Sequence, residues 1–425
     1  MSYTIEEIKQ GIKIHCIETN KFKTNLMAVF ITLPLTRDTI TFDSMIPAVL
    51  KRGTAKLNTQ EKISKELENM YGAGYDCGIE KIGDNHILKF YFESLNDNFI
   101  PENKENIAKA SLDLLFDIIF NPLVVDGKFK EEYVEFEKNN IKILIESKKD
   151  NKAQYALNRC IEEMYKDKPY GLYKYGYVED LENINAQNLY EYYKKVINES
   201  KIDIFVSGEL NKQEVLKLIK NNENIQKLQE REANYITNNE QTEQKDNIQE
   251  KVVEEKLDIA QGKLVMGLDV NLNDYNSKFK VAIYNVILGE SATSKLFQNV
   301  REKASLAYTA GSNYVRQKNN IYIRCGIEIG NFDKAIKIIK EQLTDMKNGN
   351  FTEEDLINAK KYMISGIYSA QDEQDSEITY YIGQELSGKL TTFEEYIEQV
   401  NKVSLEDVKN VANNINVNTI YFLRN

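Results

Sequence analysis

Asp43-Ser-Met-Ile-Pro-Ala-Val-Leu-Lys-Arg-Gly-Thr54 decides how this chain is read. Residues 43–51 form a short helical run, preceded by a strand pattern over 24–35. A second helix starts at Asn58, where Asn58 and Glu61 have the spacing of a capping box. Ile63, Leu67, Met70 and Tyr71 give that helix one apolar face, and Gly72 ends it. Residues 75–80 and 86–93 then pair as strands, with Leu88, Phe90 and Phe92 on one side. The quoted helix holds no histidine, and the whole chain holds two, His15 and His86.

Working outward, helices follow over 108–120, 131–148, 152–165 and 188–198, then a strand over 201–206. The order recurs later in the chain. Residues 262–270 are a strand, 278–288 and 293–303 helices, and 307–314 and 321–327 strands turning around Lys318-Asn-Asn. Helices over 333–347, 353–369, 375–386 and 405–414 lead to a last strand over 419–423. Residues 221–255 are polar, with Asn221-Asn-Glu-Asn, Asn238-Asn-Glu-Gln-Thr-Glu-Gln-Lys-Asp and the stretch from Glu250 to Glu255 carrying too few apolar anchors to offset their ordering entropy, and with helix open to it only at either end. The pattern therefore predicts an α+β chain of two similar halves, 1–220 and 256–425, each a sheet with helices packed on one face, joined by a linker over 221–255.

At 425 residues, with 42% apolar and 28% charged side chains, the composition is globular. A net charge of −11 argues against nucleic acid or an anionic membrane as partner. Cys16, Cys77, Cys160 and Cys325 form no C-x-x-C pair and read as small core residues. Met-Ser-Tyr-Thr-Ile-Glu-Glu is not a signal peptide, and no apolar run is long enough to span a bilayer, so a cytoplasmic location is expected. His15 beside Cys16 is not a catalytic dyad, because neighbouring strand residues face opposite ways. His86 belongs at the edge of the Leu88–Phe92 apolar face. No G-x-S-x-G or P-loop sequence is present.

The quoted helix resembles the one carrying the inverted zinc motif, H-x-x-E-H, in the pitrilysin and mitochondrial processing peptidase family, the insulinase-like peptidases. Aligned on the shared Gly53-Thr54 ending, the ligand positions hold Ser44 and Ala48, and the catalytic glutamate position holds Pro47. An ungapped register puts Leu144 at the third-ligand position and Glu137 at that of a supporting acid; a two-residue shift puts Glu146 there instead. A second anchor is Leu288-Gly289 followed by Ser294-Lys-Leu-Phe-Gln-Asn-Val-Arg-Glu-Lys-Ala-Ser-Leu-Ala-Tyr308, which matches the family pattern S-x-L-F-x-x-[LV]-R-E-x-x-x-L-A-Y. The arginine and tyrosine of that pattern contact the substrate backbone beside the scissile bond, so the resemblance assigns substrate binding to Arg301 and Tyr308. An arginine fork and a tyrosine hydroxyl suit that role, since both donate to carbonyl oxygens. The bland reading pairs Arg301 with Glu302 and buries Tyr308. The tyrosine-rich stretch 166–177 also matches a family connection, as a cavity lining or as a packed structural loop.

The resemblance implies a zinc-less bacterial member, half of a clamshell, with no catalytic residue and no cofactor of its own. Zinc is then expected in a homologous partner subunit, with an extended peptide as substrate, bound by strand addition. The chain would be a non-catalytic subunit, active only beside an H-x-x-E-H partner. The alternative is a homodimeric peptide-binding or scaffold protein without proteolytic activity.

Overall fold

The computed structural model describes residues 2–101, 106–237, 249–272 and 274–425. The chain opens with β1 (Ser2–Lys9), β2 (Ile12–Glu18) and β3 (Thr24–Pro34), then α1 (Ile40–Leu50) and α2 (Gln60–Asn69). The strands β4 (Gly74–Ile82) and β5 (Asn85–Leu95), helix α3 (Ile107–Phe120), and short β6 (Val124–Val125) and β7 (Lys128–Phe129) follow. Next come α4 (Glu131–Glu146), α5 (Lys152–Met164), α6 (Val178–Leu181), α7 (Ala186–Glu199), β8 (Lys201–Gly208), α8 (Lys212–Asn221) and α9 (Glu223–Lys227). The rest comprises β9 (Lys251–Lys256), β10 (Gly262–Val270), α10 (Ser277–Asn285), β11 (Ala307–Val315), β12 (Asn320–Ile327), α11 (Phe332–Asn348), α12 (Glu353–Ala370), α13 (Gln374–Leu386), α14 (Phe393–Lys402), α15 (Leu405–Asn413) and β13 (Ile415–Arg424).

The two sheets repeat one topology. The first runs β1-β2-β8-β3-β5-β4 and the second β11-β12-β10-β13-β9. Read from β4 and from β11, the orders correspond strand for strand until β1, which has no counterpart. Even the parallel pair recurs, β2 with β8 and β9 with β13. The remaining pairings are antiparallel.

Alternation along the central strands places the cores. Met27, Val29 and Ile31 of β3 stand opposite Phe92, Phe90 and Leu88 of β5 and face the helices. The opposite face carries Ala28 and Phe30 beside Phe205, Asp203 and His15. One helix covers it, and that helix comes from the other half of the sequence. The chain divides into one unit of Met1–Ser147, Leu172–Ile236 and Asp372–Gly383 and another of Lys148–Gly171, Thr237–Gln371 and Gln384–Asn425. Helix α13 thus adds to the first unit, where Tyr381 stacks on Tyr3 at 3.7 Å and Gln374 Nε2 donates to the Ser207 carbonyl at 2.9 Å. Helix α5 holds the equivalent place in the second unit, with Tyr155, Ala156 and Cys160 against Val265, Tyr322 and Tyr421. Each sheet therefore has helices gathered on one face, as expected, and one exchanged helix on the other.

Two expectations change. The segment read as a linker over 221–255, with helix open to it at either end, is helical at its start, in α9, but a strand at its end. Ile225 and Leu228 join the first core, and Arg231, 5% exposed, donates to the carbonyls of Ile197 and Ser200. Asn85 and the Ile236 backbone exchange two hydrogen bonds, of 2.7 and 2.8 Å. Residues 251–256 form β9, the edge of the second sheet; residues 238–248 of the expected linker lie outside the described residues. The second change is the cap of α2. Thr59, not Asn58, accepts from the Lys62 backbone at 3.3 Å; the Asn58 side chain accepts from the Lys62 ammonium, and its backbone carbonyl accepts from the Tyr133 hydroxyl.

Candidate functional site

Helix α1 begins three residues earlier than expected and is buried along most of its length. Ser44 Oγ lies 2.9 Å from the Thr41 carbonyl and 3.1 Å from that of Tyr175. The 172–177 part of the tyrosine loop closes directly onto this helix. The Tyr177 backbone donates to Thr41 Oγ1 at 3.1 Å, and Gly176, at φ 79°, approaches so closely that a Cβ there would strike Thr41. For this part of the loop the packed structural reading is the one observed. Pro47 offers no donor, its carbonyl accepting from Cys77 Sγ at 3.3 Å, and Ala48 packs against the core.

The third-ligand candidates fare no better. Leu144 is 42% exposed, Glu146 is exposed at the end of α4, and buried Glu137 is bound by Arg52 and by Asn140 at 3.0 Å. Ser, Pro, Ala and Leu supply no imidazole, thiolate or carboxylate, and the supporting acid is neutralised by an arginine. These residues do not fit a zinc ion. Among the described residues no group of three histidine, cysteine or acidic side chains is clustered to hold a metal.

Both histidines instead pair with buried aspartates. His86 Nδ1 lies 2.9 Å from Asp43 Oδ2, and Tyr192 donates to Asp43 Oδ1 at 2.7 Å. His15 Nε2 lies 2.9 Å from Asp203 Oδ1, with its Nδ1 2.8 Å from the Tyr3 hydroxyl and Lys201 on the other carboxylate oxygen. Burial opposes ionisation of Asp203, but Lys201 and His15 outweigh it and hold the carboxyl well below its ordinary value. The sequence reading missed both networks; aspartates at positions 43 and 203 within otherwise apolar segments were the available signal.

The second unit presents a different surface. Residues 286–290, which overrun the helix expected over 278–288, and 297–303, within that expected over 293–303, are wound as π-helical turns, a rare form that recurs at functional sites. Arg301 lies on the second, 42% exposed, its guanidinium carbon 4.5 Å from the Phe297 ring centre and Glu302 3.6 Å away. Ser305, at φ 51°, turns the chain in the left-handed region just before β11. Tyr308 is the extra residue of a bulge, since Ala307 faces Ile327 and Thr309 faces Gly326. A bulge re-aims side chains, and this one leaves Tyr308 66% exposed. The bland reading of Tyr308 as core is excluded, whereas the Arg301–Glu302 contact is present but long.

Beside this pair lies a groove of 560 Å³, lined by Phe297, Thr309 and Asn313 and floored by Lys263 and Arg324. The size suits a few residues of a ligand. Gly289 and Gly311 bring the first π-helical turn against β11, because a Cβ on Gly289 would meet Ser312 at 2.5 Å. Asn285 ties the two together, accepting from Ser312 Oγ and donating to Glu290, each at 2.7 Å. Burial raises the Glu290 pKa, against the pull of that Asn285 bond.

Comparison with known proteins gives the family and the fold. A family model described as the peptidase M16 inactive domain matches residues 183–363. The chain is 31% identical to a probable inactive metalloprotease, YmfF, of Bacillus subtilis (strain 168), across 100% of this chain and 99% of that protein. It is similar to a conserved protein from Enterococcus faecalis V583 of solved structure, with a TM-score of 0.88, 26% identity and coverage of 100% and 99% of the two chains. A peptidase M16 inactive domain from Pseudomonas fluorescens shares the fold, with a TM-score of 0.80 at 16% identity over 100% and 98%.

Proposed function

The chain belongs to the M16 peptidase family, and we propose that it serves there as the non-catalytic subunit of a heterodimeric zinc peptidase. Its zinc-bearing partner would be a homologous chain with an intact inverted motif. The observation that carries this reading is the presentation of Arg301 and Tyr308. A chain with no ligand at Ser44, Ala48 or Leu144 nonetheless keeps an arginine and a tyrosine exposed on a π-helical turn and a bulge.

The chemistry of the pair follows from its donors. The Arg301 guanidinium donates in a fixed fork, which suits the carbonyl oxygens of an extended peptide. The Tyr308 hydroxyl adds one directional donor. Aimed at an oxygen on which charge develops, such donors stabilise a transition state more than the ground state. Phe297 orients the guanidinium by stacking beneath it. The four cysteines are unpaired, and no helix among the described residues is long and apolar enough to cross a membrane.

The test is reconstitution. The purified chain, and an M16 chain of the same organism that retains the inverted motif, are assayed on extended peptides alone and mixed. The expected result is a mixed complex on sizing and cleavage that needs both chains. Full activity of the zinc-bearing chain alone, with no complex formed, would leave the homodimeric scaffold reading in its place.

A further inference from the structure

The floor of the groove in the second unit is cationic, although the chain carries a net charge of −11. Lys263 stands opposite Gly326, and Arg324 stands opposite Val265, two residues further along β10. The two cations therefore share one face of the sheet as diagonal neighbours, with Cβ atoms about 7–8 Å apart by the geometry of such pairs. The same face carries Thr309 and Gly311 of β11, opposite Gly326 and Arg324, so little side-chain bulk lies over them. Both cations are half-buried.

Buried cations ordinarily have a carboxylate beside them, because an unpaired charge is costly to desolvate. Here neither forms an ion pair among the described residues. Lys263 donates only to the neutral Gln261 amide, and burial is the sole influence on either pKa, lowering both. The acid that shares the groove, Glu290, is engaged by Asn285. The groove also adjoins the pair assigned above, because Phe297 lines it beneath Arg301 and Thr309 lines it beside Tyr308.

We propose that Lys263 and Arg324 form a carboxylate-binding subsite, which takes an acidic side chain or the free C-terminus of the peptide held at Arg301 and Tyr308. The inference rests on the peptide-binding reading above and deepens it, since it makes an acidic peptide the preferred ligand. Two long cationic side chains at diagonal positions can converge on one carboxylate, the Arg324 fork in bidentate contact and the Lys263 ammonium as a point charge.

The subsite lies wholly within this chain, so the chain alone is the right material. Three fluorescently labelled extended peptides of one sequence are compared by anisotropy. One has a central Glu and an amidated end, one Gln and an amidated end, and one Gln with a free C-terminus. The expected result is roughly tenfold tighter binding of one carboxylate-bearing peptide than of the neutral one, the value of one charge-assisted contact. Which of the two gains identifies the source of the carboxylate. The preference should vanish in Lys263→Met/Arg324→Met and persist in Lys263→Arg/Arg324→Lys, which keeps both charges and controls for folding. Equal binding of all three peptides, a preference that survives the methionine pair, or no binding at all would overturn the subsite. Equal binding that Arg301→Ala abolishes would overturn the subsite alone and leave the peptide-binding reading standing.

Discussion

Asp43 and His86 are fully buried and 2.9 Å apart, so the helix that carries the zinc motif elsewhere in the family is fastened here to β5 by a polar contact. Tyr192 of α7 completes the contact from the far side, and His86 Nε2 faces no partner among the described residues. Removing the shared acceptor leaves the His86 ring and the Tyr192 hydroxyl without it, at about 1–3 kcal/mol for each buried polar group left unmatched. Asp43→Ala should therefore destabilise the chain by about 2–6 kcal/mol, and Tyr192→Phe by about 1 kcal/mol. Chemical denaturation of the two variants checks the order and the size.

Rebuilding the motif should not rebuild the site. With Ser44→His, Pro47→Glu and Ala48→His together, the third position remains Leu144, and Glu137 remains held by Arg52. An imidazole at position 44 must also displace the Tyr175 carbonyl from that position. Elemental analysis of the triple variant should find well under one tight zinc per chain, and peptide cleavage by it alone should stay at background. One tight zinc would show that the third-ligand register is wrong.

Glu377 on the exchanged helix α13 makes stability depend on pH. Its carboxylate is fully buried with no hydrogen-bond partner among the described residues, and desolvation raises its pKa to about 7, only partly countered by Lys21. The folded state then binds a proton that the unfolded chain, titrating near its ordinary 4.5, gives up. The stability this proton confers is complete below 4.5 and is lost as the pH rises through 7, to a total of roughly 3 kcal/mol. Asp203 acts in the opposite sense. Its depressed pKa contributes stability that is present above the ordinary carboxylate range and lost as the pH falls below it. Thermal melts from pH 5 to pH 8 should show a falling Tm, and Glu377→Gln should flatten that slope and raise the Tm at pH 8. A slope unchanged by the substitution would assign it to another group.

The repeated order of strands and helices was legible because short continuous apolar runs, such as 24–35, buried on both faces, alternate with amphipathic stretches of helical spacing, such as 108–120. Strand β9 was not. Lys251-Val-Val-Glu-Glu-Lys is polar because it is an exposed sheet edge, and polar edges look like linkers. The exchange of α5 and α13 was hidden for another reason: an amphipathic face states that a helix packs, not which sheet receives it. The π-helical turns around Gly289 and Arg301 close i→i+5 bonds over only five and seven residues, too short to change the apolar periodicity of the run, so only their motif marked them. Lys263 and Arg324 left a readable trace, one cation in each of two largely apolar strands.

The central claim is that Arg301 and Tyr308 complete a site whose metal belongs to another chain. Both side chains are substantially exposed, so Arg301→Ala and Tyr308→Phe remove donors without opening a core. The deciding measurement is peptide turnover by the heterodimer carrying each change, with assembly confirmed by sizing. The predicted result is an intact complex whose kcat falls about a hundred- to a thousandfold for Arg301→Ala, the cost of losing a donor to a developing oxyanion, and less for Tyr308→Phe. A heterodimer carrying both changes that assembles normally and cuts at the unaltered rate would contradict the account.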